Sequence, residues 1–327
     1  METILNKLTE LIKENDEIFI MTHYNPDFDG MGSAIALQQI INKFKKKSYI
    51  IKNSKDQDKS LNKAYNYLKE QNIEHCFITK IDAINNIKED SLLIILDTHK
   101  QQLLEIPSLI DKTDKIVILD HHIKSKDNIK EGIISYINSN LSSTVELIAH
   151  YIRYLNFTID PLIATFLLLG LEIDTNNFKI KTTDKTYETA AFLSRQGADN
   201  VLKQELLQEE KENYVQKQKL IEQSYMLNKT TAICIADDKE YENQDLAQVA
   251  EKLLQFEEVE SSFVIGKLSD NKIGISARSL GNIDVEEIMR KMGGGGHLTE
   301  AATQIEDSTI EQVKKELLEN LGGNKWK

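Results

Sequence analysis

Short, continuous apolar runs alternate with stretches of helical periodicity in the first half of the chain. The predicted strands are Glu17–Met21, Ser48–Ile51, Cys76–Thr79, Leu92–Leu96 and Ile116–Leu119. Runs that are apolar at every position are typical of strands in a parallel sheet covered on both faces. Between the runs, apolar residues recur every three or four positions, which predicts amphipathic helices. This alternation predicts an α/β fold with a doubly wound parallel sheet.

The pattern changes in the last third of the chain. Residues 202–227 are rich in Glu, Gln and Lys and have few apolar positions, so we predict an exposed helix that connects two domains. Beyond it, strand-like segments mix with helical ones, which indicates a smaller α+β domain. A chain of 327 residues is long enough for about two domains. The predicted divisions are a doubly wound domain over 1–200, a helical linker over 201–228, the α+β domain over 229–322 and a frayed tail over 323–327.

Composition narrows the class of protein. A hydrophobic content of 40%, a charged content of 28% and a net charge of -12 are typical of a soluble globular protein with an acidic surface. Such a surface repels long nucleic acids, whereas a small anionic substrate can still bind at a cationic site. No membrane segment is predicted, because the longest apolar run, Ile163–Leu171, is too short to cross a bilayer. The amino terminus lacks the apolar core of a signal peptide, so the expected location is the cytoplasm.

One loop carries the first candidate chemistry. Residues 22–33 have the sequence T-H-Y-N-P-D-F-D-G-M-G-S and follow a predicted strand, a position where open parallel sheets bind ligands. His23, Asp27 and Asp29 supply an imidazole and two carboxylates, which make half of a metal site. An Asp in such a loop also caps helices and forms turns. This motif alone therefore leaves a metal site and a plain turn equally open.

Further acidic and imidazole residues stand near the ends of later elements. Asp97 lies in L-D-T-H, His121 lies in L-D-H-H, and Asp174 lies in I-D-T-N-N-F. Asp174 on its own is better explained by a structural role, but loops at one edge of a parallel sheet converge. We therefore predict that six side chains share one cavity and bind two divalent metal ions: His23, Asp27, Asp29, Asp97, His121 and Asp174. Carboxylates and imidazoles without a thiolate suit Mn(II) and do not exclude Mg, Fe or Co.

A run of four glycines near the carboxyl end is a candidate substrate contact. Without side chains, its backbone can approach a phosphate or a base edge closely, although a flexible linker has the same composition. An adjacent His and an Arg-Ser pair on a preceding strand favour an anion and nucleobase clamp. A surface salt bridge is the alternative for the arginine. The predicted clamp residues are Arg278, Ser279, Gly293, Gly294, Gly295, Gly296 and His297.

These motifs together resemble the DHH phosphoesterase superfamily. H-Y-N-P-D-F-D-G-M-G-S, L-D-T-H, L-D-H-H and the later Asp174 are similar to its four motifs, and A-R-S-L-G-N-I-D through G-G-G-G-H is similar to its DHH-associated substrate-binding domain. The sequence of these motifs is most similar to that of the catalytic region of cyclic-di-AMP phosphodiesterases of the GdpP type. The resemblance covers nearly the whole chain, but the membrane helices and sensory modules of those proteins are missing, which implies a stand-alone enzyme or a fragment. Gly30 stands where many relatives have Ala, a change expected to leave the metal ligands intact.

The resemblance implies a role for each candidate residue. Asp97 would bridge two metal ions, with His23 and Asp27 completing the ligands of one ion. Asp29, His121 and Asp174 would complete the ligands of the other ion.

The resemblance also implies the catalytic groups. Two such ions can hold a hydroxide for in-line attack on phosphorus. His122 would contact the phosphate or assist the leaving oxygen, while Asp120 would orient a histidine. The clamp would face the metals across an interdomain cleft, and a homodimer is expected from the family.

The leading functional hypothesis is hydrolysis of cyclic di-AMP to the linear dinucleotide pApA, with a second step to AMP left open. The runner-up is the same chemistry on short oligoribonucleotides, pApA and 3'-phosphoadenosine 5'-phosphate. Inorganic pyrophosphatase activity is disfavoured by the glycine-rich clamp. A nucleotide sensor without turnover is the alternative from another class, and the complete ligand set argues against it.

Overall fold

The computed structural model describes residues 1–52, 59–73, 77–124, 128–129, 132–296 and 298–322. His297 and the predicted tail 323–327 lie outside the described residues. The chain divides into two compact units, with the boundary between Gln208 and Glu209. Each unit is built around its own six-stranded sheet.

The first unit alternates strands with helices. Its strands are β1 (Glu17–Met21), β2 (Lys47–Ile51), β3 (Phe77–Ile78), β4 (Leu92–Leu96), β5 (Lys115–Asp120) and β6 (Ile134–Ile137). Its helices are α1 (Glu2–Glu14), α2 (Phe28–Lys43), α3 (Lys59–Glu70), α4 (Lys80–Asn86), α5 (Thr144–Tyr154), α6 (Pro161–Asp174), α7 (Asp184–Arg195) and α8 (Asn200–Leu207). The strand order is β3-β2-β1-β4-β5-β6, and every pair is parallel. The order reverses between β1 and β4, which is where doubly wound sheets bind ligands.

Successive side chains of the parallel strands enter two separate apolar cores. Ile18 and Ile20 pack in the core on one face, while Phe19 and Met21 pack in the core on the other, as the two-residue period of a strand requires. Helices α1, α2, α3, α5 and α6 contribute to the first core, and α4 contributes to the second. The predicted doubly wound α/β fold is confirmed.

Two local features differ from the prediction. Strand β6 was absent from the predicted elements, because its sequence I-S-Y-I is short and it pairs with a single neighbour, β5. The stretch 202–227, predicted as one exposed connecting helix, contains two helices, α8 and α9 (Lys211–Gln223), and the boundary between the two units falls between them. Leu202 and Leu206 of α8 are buried in the core of the first unit, whereas Leu220 of α9 is buried in the second.

The second unit has a mixed sheet in the order β11-β12-β10-β9-β8-β7. Its strands are β7 (Tyr225–Met226), β8 (Thr231–Glu240), β9 (Ser261–Lys267), β10 (Lys272–Ser279), β11 (Gly295–Gly296) and β12 (Glu300–Glu306), and its helices are α9, α10 (Asn243–Leu253), α11 (Val285–Lys291) and α12 (Ile310–Asn320). Among the described strands of this second sheet, only β8 and β9 pair in parallel. Helices α11 and α12 pack on one face of this sheet, and α9 and α10 pack on the other. This is the α+β arrangement that the sequence predicts.

Among the residues described, none of the helices combines the length and the apolar character needed to cross a lipid bilayer.

Candidate metal centre

The loop after β1 brings its ligands to the start of α2. Asp27 is the N-cap of α2, and its Oδ1 accepts hydrogen bonds from the backbone N–H groups of Asp29 at 2.9 Å and Gly30 at 3.1 Å. The capping role that the sequence left open is therefore real. It coexists with a second role, because Asp27 also offers a ligand atom within 4.8 Å of ligand atoms from His23 and Asp97.

Asp97 lies at the middle of the cluster. Its Oδ2 is 3.4 Å from Nε2 of His23, and its Oδ1 is 3.3 Å from Nε2 of His121. The Thr144 hydroxyl donates a hydrogen bond to Oδ1 at 3.0 Å. Its φ of 64° lies in the left-handed region, which is uncommon for a residue other than glycine. The carboxylate of Asp97 therefore stands between two histidines.

Asp29 and Asp174 complete the cluster on the side of His121. The backbone N–H groups of Thr144 and Val145, at the start of α5, donate to the two oxygens of Asp29 at 2.8 and 2.7 Å. Nε2 of His121 is 3.7 Å from Oδ2 of Asp29 and 3.2 Å from Oδ2 of Asp174. Asp174, the last residue of α6, therefore joins the site despite its plausible structural explanation.

The charges of this cluster favour a bound cation. Burial, together with repulsion from Asp97, Asp174 and Asp27, raises the pKa of Asp29 well above its ordinary value. Burial disfavours the charged form of His23, but the contact with Asp97 and the charge of Asp27 outweigh it and raise the pKa of His23 to about 9. Both shifts favour the protonated forms of these two residues. A divalent cation would compete with those protons, since metal ligands must be deprotonated.

The ligand atoms fit metal ions in type as well as in charge. The structure groups Asp97 with His121 and His122, His23 with Asp27 and Asp97, and Asp29 with His121 and Asp174. The donors are carboxylate oxygens and imidazole nitrogens, a set that suits hard to intermediate divalent metals. All six predicted metal ligands lie in these groups, which could hold metal ions.

Asp120 and His122 form a hydrogen-bonded pair at the edge of the cluster, and His122 is also a member of one ligand group. Nδ1 of His122 lies 2.7 Å from Oδ1 of Asp120, and the same oxygen accepts the backbone N–H of His122 at 3.0 Å. Burial opposes both shifts, but the contact between these residues raises the pKa of His122 and lowers that of Asp120. Nδ1 of buried His99 contacts the other oxygen of Asp120. His99, the histidine of L-D-T-H, has no predicted role, since one histidine beside a candidate metal ligand carries no distinctive spacing.

The glycine run of the second unit is an ordered element. Gly293 has φ 79°, and the N–H groups of Gly293 and Gly294 bond to the carbonyls of Arg290 and Met289 at 3.1 and 2.8 Å, which is a Schellman end to α11. Gly295–Gly296 then pairs with β12. The linker alternative is wrong for these residues.

Fold requirements explain three of the four glycines. The positive φ favours glycine at 293, and a Cβ on Gly294 or Gly296 would lie 2.2 or 2.3 Å from a carbonyl of β12. A Cβ on Gly295 would meet nothing within 4 Å, and its φ needs no glycine. The space beside Gly295 is therefore open to an approaching molecule.

Arg278 and Ser279 lie in different environments. Nη1 of Arg278 donates to the carbonyl of Ala277 at 3.0 Å, and its buried Nε has no hydrogen-bond partner among the described residues. The hydroxyl of Ser279 donates to the carbonyl of Ile283 at 2.7 Å and accepts the N–H of Gly281 at 3.3 Å. Arg278 thus keeps donor capacity for a ligand, while Ser279 fixes the loop after β10.

The fold and the ligand cluster define an α/β protein with side chains that could hold metal ions, and two family models identify it further. The DHH family, N-terminal domain, matches residues 17–171, and the DHHA1 domain matches residues 228–323. The chain belongs to the DHH family, as the sequence motifs predict.

Its relatives include named phosphodiesterases. The chain is 38% identical over 320 residues to the cyclic-di-AMP phosphodiesterase GdpP of Geobacillus thermodenitrificans, covering 97% of this chain and 49% of that protein. It is 36% identical to the cyclic-di-AMP phosphodiesterase PdeA of Listeria monocytogenes, covering 96% of this chain and 49% of that protein. The chain therefore spans about half the length of these curated relatives.

A solved structure shares the fold. An exopolyphosphatase-related protein from Bacteroides fragilis matches with a TM-score of 0.85 and 18% sequence identity, covering 99% of this chain and 97% of the other.

Proposed function

We propose that this chain is a phosphodiesterase that hydrolyses cyclic di-AMP to 5'-pApA at a centre of two Mn(II) ions. The observation that carries this proposal is the position of Asp97, whose two oxygens lie 3.4 and 3.3 Å from different histidines. Identity of 36–38% along nearly the whole chain to proteins named as cyclic-di-AMP phosphodiesterases supports the choice of substrate.

The ligands divide into two sets that share Asp97. His23 and Asp27 would complete one set, while Asp29, His121 and Asp174 would complete the other. Bound ions would supply an activated water and would stabilise the negative charge that develops on the phosphate. The N–H groups of Thr144 and Val145 hold the plane of Asp29, so this ligand is oriented before any cation arrives.

His122 would act on the leaving group. His122 Nδ1 is held by Asp120 at 2.7 Å, and we assign its Nε2 to the leaving oxygen. As the bond from phosphorus to the 3'-oxygen breaks, Nε2–H would donate its proton to that oxygen. The water oxygen remains on phosphorus, so the product carries a 5'-phosphate and a free 3'-hydroxyl.

We assign nucleotide recognition to the second unit. The Arg278 guanidinium suits a phosphate, since planar guanidinium groups bind such oxygens in pairs. The open backbone at Gly295 would allow close approach of a phosphate or base edge. We assign Ser279 to loop positioning on the basis of its backbone contacts.

The test is hydrolysis of cyclic di-AMP by chelated protein before and after Mn(II) is restored, with pApA resolved from AMP over time. Asp97→Asn should lower turnover by at least about 100-fold and lower the bound Mn(II). Asp111→Asn, which changes an exposed carboxylate, is the matched control and should leave both unchanged.

Three other results would redirect the proposal. Rapid turnover of pApA or 3'-phosphoadenosine 5'-phosphate with cyclic di-AMP intact would move the substrate to short linear nucleotides. Binding of cyclic di-AMP without hydrolysis in saturating Mn(II) would indicate a sensor. Full activity of Asp97→Asn would overturn the metal mechanism itself.

A further inference from the structure

We infer that His99 is a positioning residue that acts on the reaction through Asp120 and His122. This inference rests on the proposed function, because it assigns His122 the proton that the leaving oxygen receives. It adds a residue that belongs to none of the three ligand groups of the metal centre.

The two oxygens of Asp120 are divided between two imidazoles. Oδ2 contacts Nδ1 of His99, while Oδ1 contacts Nδ1 of His122 at 2.7 Å and the backbone N–H of the same residue at 3.0 Å. His99 and Asp120 are each 1% exposed. A buried ionised carboxylate accepts hydrogen bonds only, so each imidazole presents a proton on Nδ1 to it.

This arrangement fixes the orientation of His122. A carboxylate held at one oxygen can rotate about its Cβ–Cγ bond, but donors at both oxygens define its plane. The plane of Asp120 in turn helps to set the direction of the His122 ring, which is 30% exposed and also contacts the His121 ring, with centroids 4.3 Å apart. His99 therefore supplies an anchor for the catalytic imidazole through Asp120.

The anchor also joins two loops of the site. His99 follows the bridging ligand Asp97 by two residues, and its carbonyl accepts the N–H of Ile129 at 2.9 Å. Its side chain reaches Asp120, the last residue of β5, and the loop that follows carries His121 and His122. Loss of the contact would leave one oxygen of a buried carboxylate without this donor, and Asp120 would turn to find another.

Two amide substitutions separate the contact from simple core filling. In His99→Asn, the amide nitrogen occupies the place of Nδ1 and can still donate to Asp120. In His99→Gln, the amide nitrogen reaches the place of Nε2, so a similar polar side chain loses the donor. We expect His99→Gln to lower kcat by about 10- to 100-fold with KM and bound Mn(II) close to wild type. We expect His99→Asn to retain most activity.

A double-mutant cycle tests whether the effect passes through His122. If it does, His99→Gln costs little further activity in the His122→Ala background, because the residue it orients has gone. His150→Gln, which changes a histidine on α5, is the control and should leave kcat unchanged. Circular dichroism of each variant reports whether the fold is retained.

Three results would overturn the inference. These are an equal loss in both backgrounds, equal activities of His99→Asn and His99→Gln, or loss of Mn(II) from His99→Gln. If wild-type protein leaves cyclic di-AMP intact, the proposed substrate fails separately, and the same cycle on pApA still tests His99.

Discussion

Gly170 sets the distance between the two helices that carry Asp29 and Asp174. It lies in α6, four residues before Asp174, and a Cβ added to it would be 2.7 Å from the carbonyl oxygen of Phe28 and 2.9 Å from Cα of Asp29. Both contacts are with backbone of the first turn of α2, which cannot swing aside as a side chain would. Gly170→Ala must therefore push α2 and α6 apart.

The size of the shift follows from these distances. Ordinary carbon contacts begin at 3.4 Å, so the separation has to grow by about 0.7 Å, the difference between 3.4 and 2.7 Å. Metal–ligand distances tolerate only about 0.2 Å of error, so Asp29 and Asp174 would no longer suit one ion. Overpacking of this kind costs about 1–3 kcal/mol, partly offset by about 1 kcal/mol from replacing a helical glycine.

Gly30→Ala is the matched control, because it adds the same methyl group to a helix of the same site. Its Cβ would lie 3.4 Å from Oδ2 of Asp97 and 3.6 Å from Nε2 of His23, which are ordinary contacts. The substitution should raise the free energy of unfolding by about 0.5 kcal/mol and leave Mn(II) binding unchanged.

Calorimetry measures the Tm and the Mn(II) affinity of both variants, Gly170→Ala and Gly30→Ala. For Gly170→Ala we expect a lower Tm and an Mn(II) affinity reduced by about 10- to 100-fold. Wild-type Mn(II) affinity in Gly170→Ala, or equal losses in the two variants, would refute the argument that this glycine sets the spacing of the ligands.

Other changes test the remaining parts of the site. Gly294→Ala should cost about 1–3 kcal/mol of stability, while Gly295→Ala should keep the wild-type Tm and raise KM; an unchanged KM would contradict substrate approach at Gly295. Adding Mn(II) at about 100 times its Kd should stabilise the chelated protein by about 2.7 kcal/mol, and an unchanged Tm would count against a cation site. Mn(II) affinity should weaken as pH falls, because the raised pKa of Asp29 lets protons compete with metal. A pH-independent Mn(II) affinity in titration calorimetry would contradict this expectation. The raised pKa also means that Asp29 stabilises the metal-free fold at low pH and that this stabilisation is lost as pH rises.

Burial determined which elements the sequence could predict. The bounds of β1 and β4 agree with prediction, because both strands are covered on two faces and are apolar at nearly every position. The connecting helix predicted over 202–227 differs from the structure because its leucines are sparse. Their spacing does not indicate that Leu206 and Leu220 belong to different apolar cores.

Residue type determined which parts of the candidate site could be predicted. The six candidate ligands were predictable as a group, because acidic and imidazole residues recur at the ends of several elements and the structure brings them together. The contact of His99 was not predictable, because it depends on burial beside Asp120, although His99 is the histidine of L-D-T-H. The glycine run was identified as one unit, yet only backbone geometry separates Gly295, with open space, from Gly294 and Gly296, which pack against β12.

Strand register explains why the ligands meet. In the sheet, Met21 of β1 pairs with Ile95 of β4, and His23 and Asp97 each follow these residues by two positions, so they leave the sheet at the same level. Leu96 of β4 pairs with Leu119 of β5, which puts Asp97 beside Asp120 and one position before His121. Strands β2 and β3 intervene in the sequence but lie on the other side of β1. The metal centre thus depends on the reversal of strand order as much as on its ligands, since any strand placed between β1 and β4 would separate His23 from Asp97 by another 4.8 Å or so.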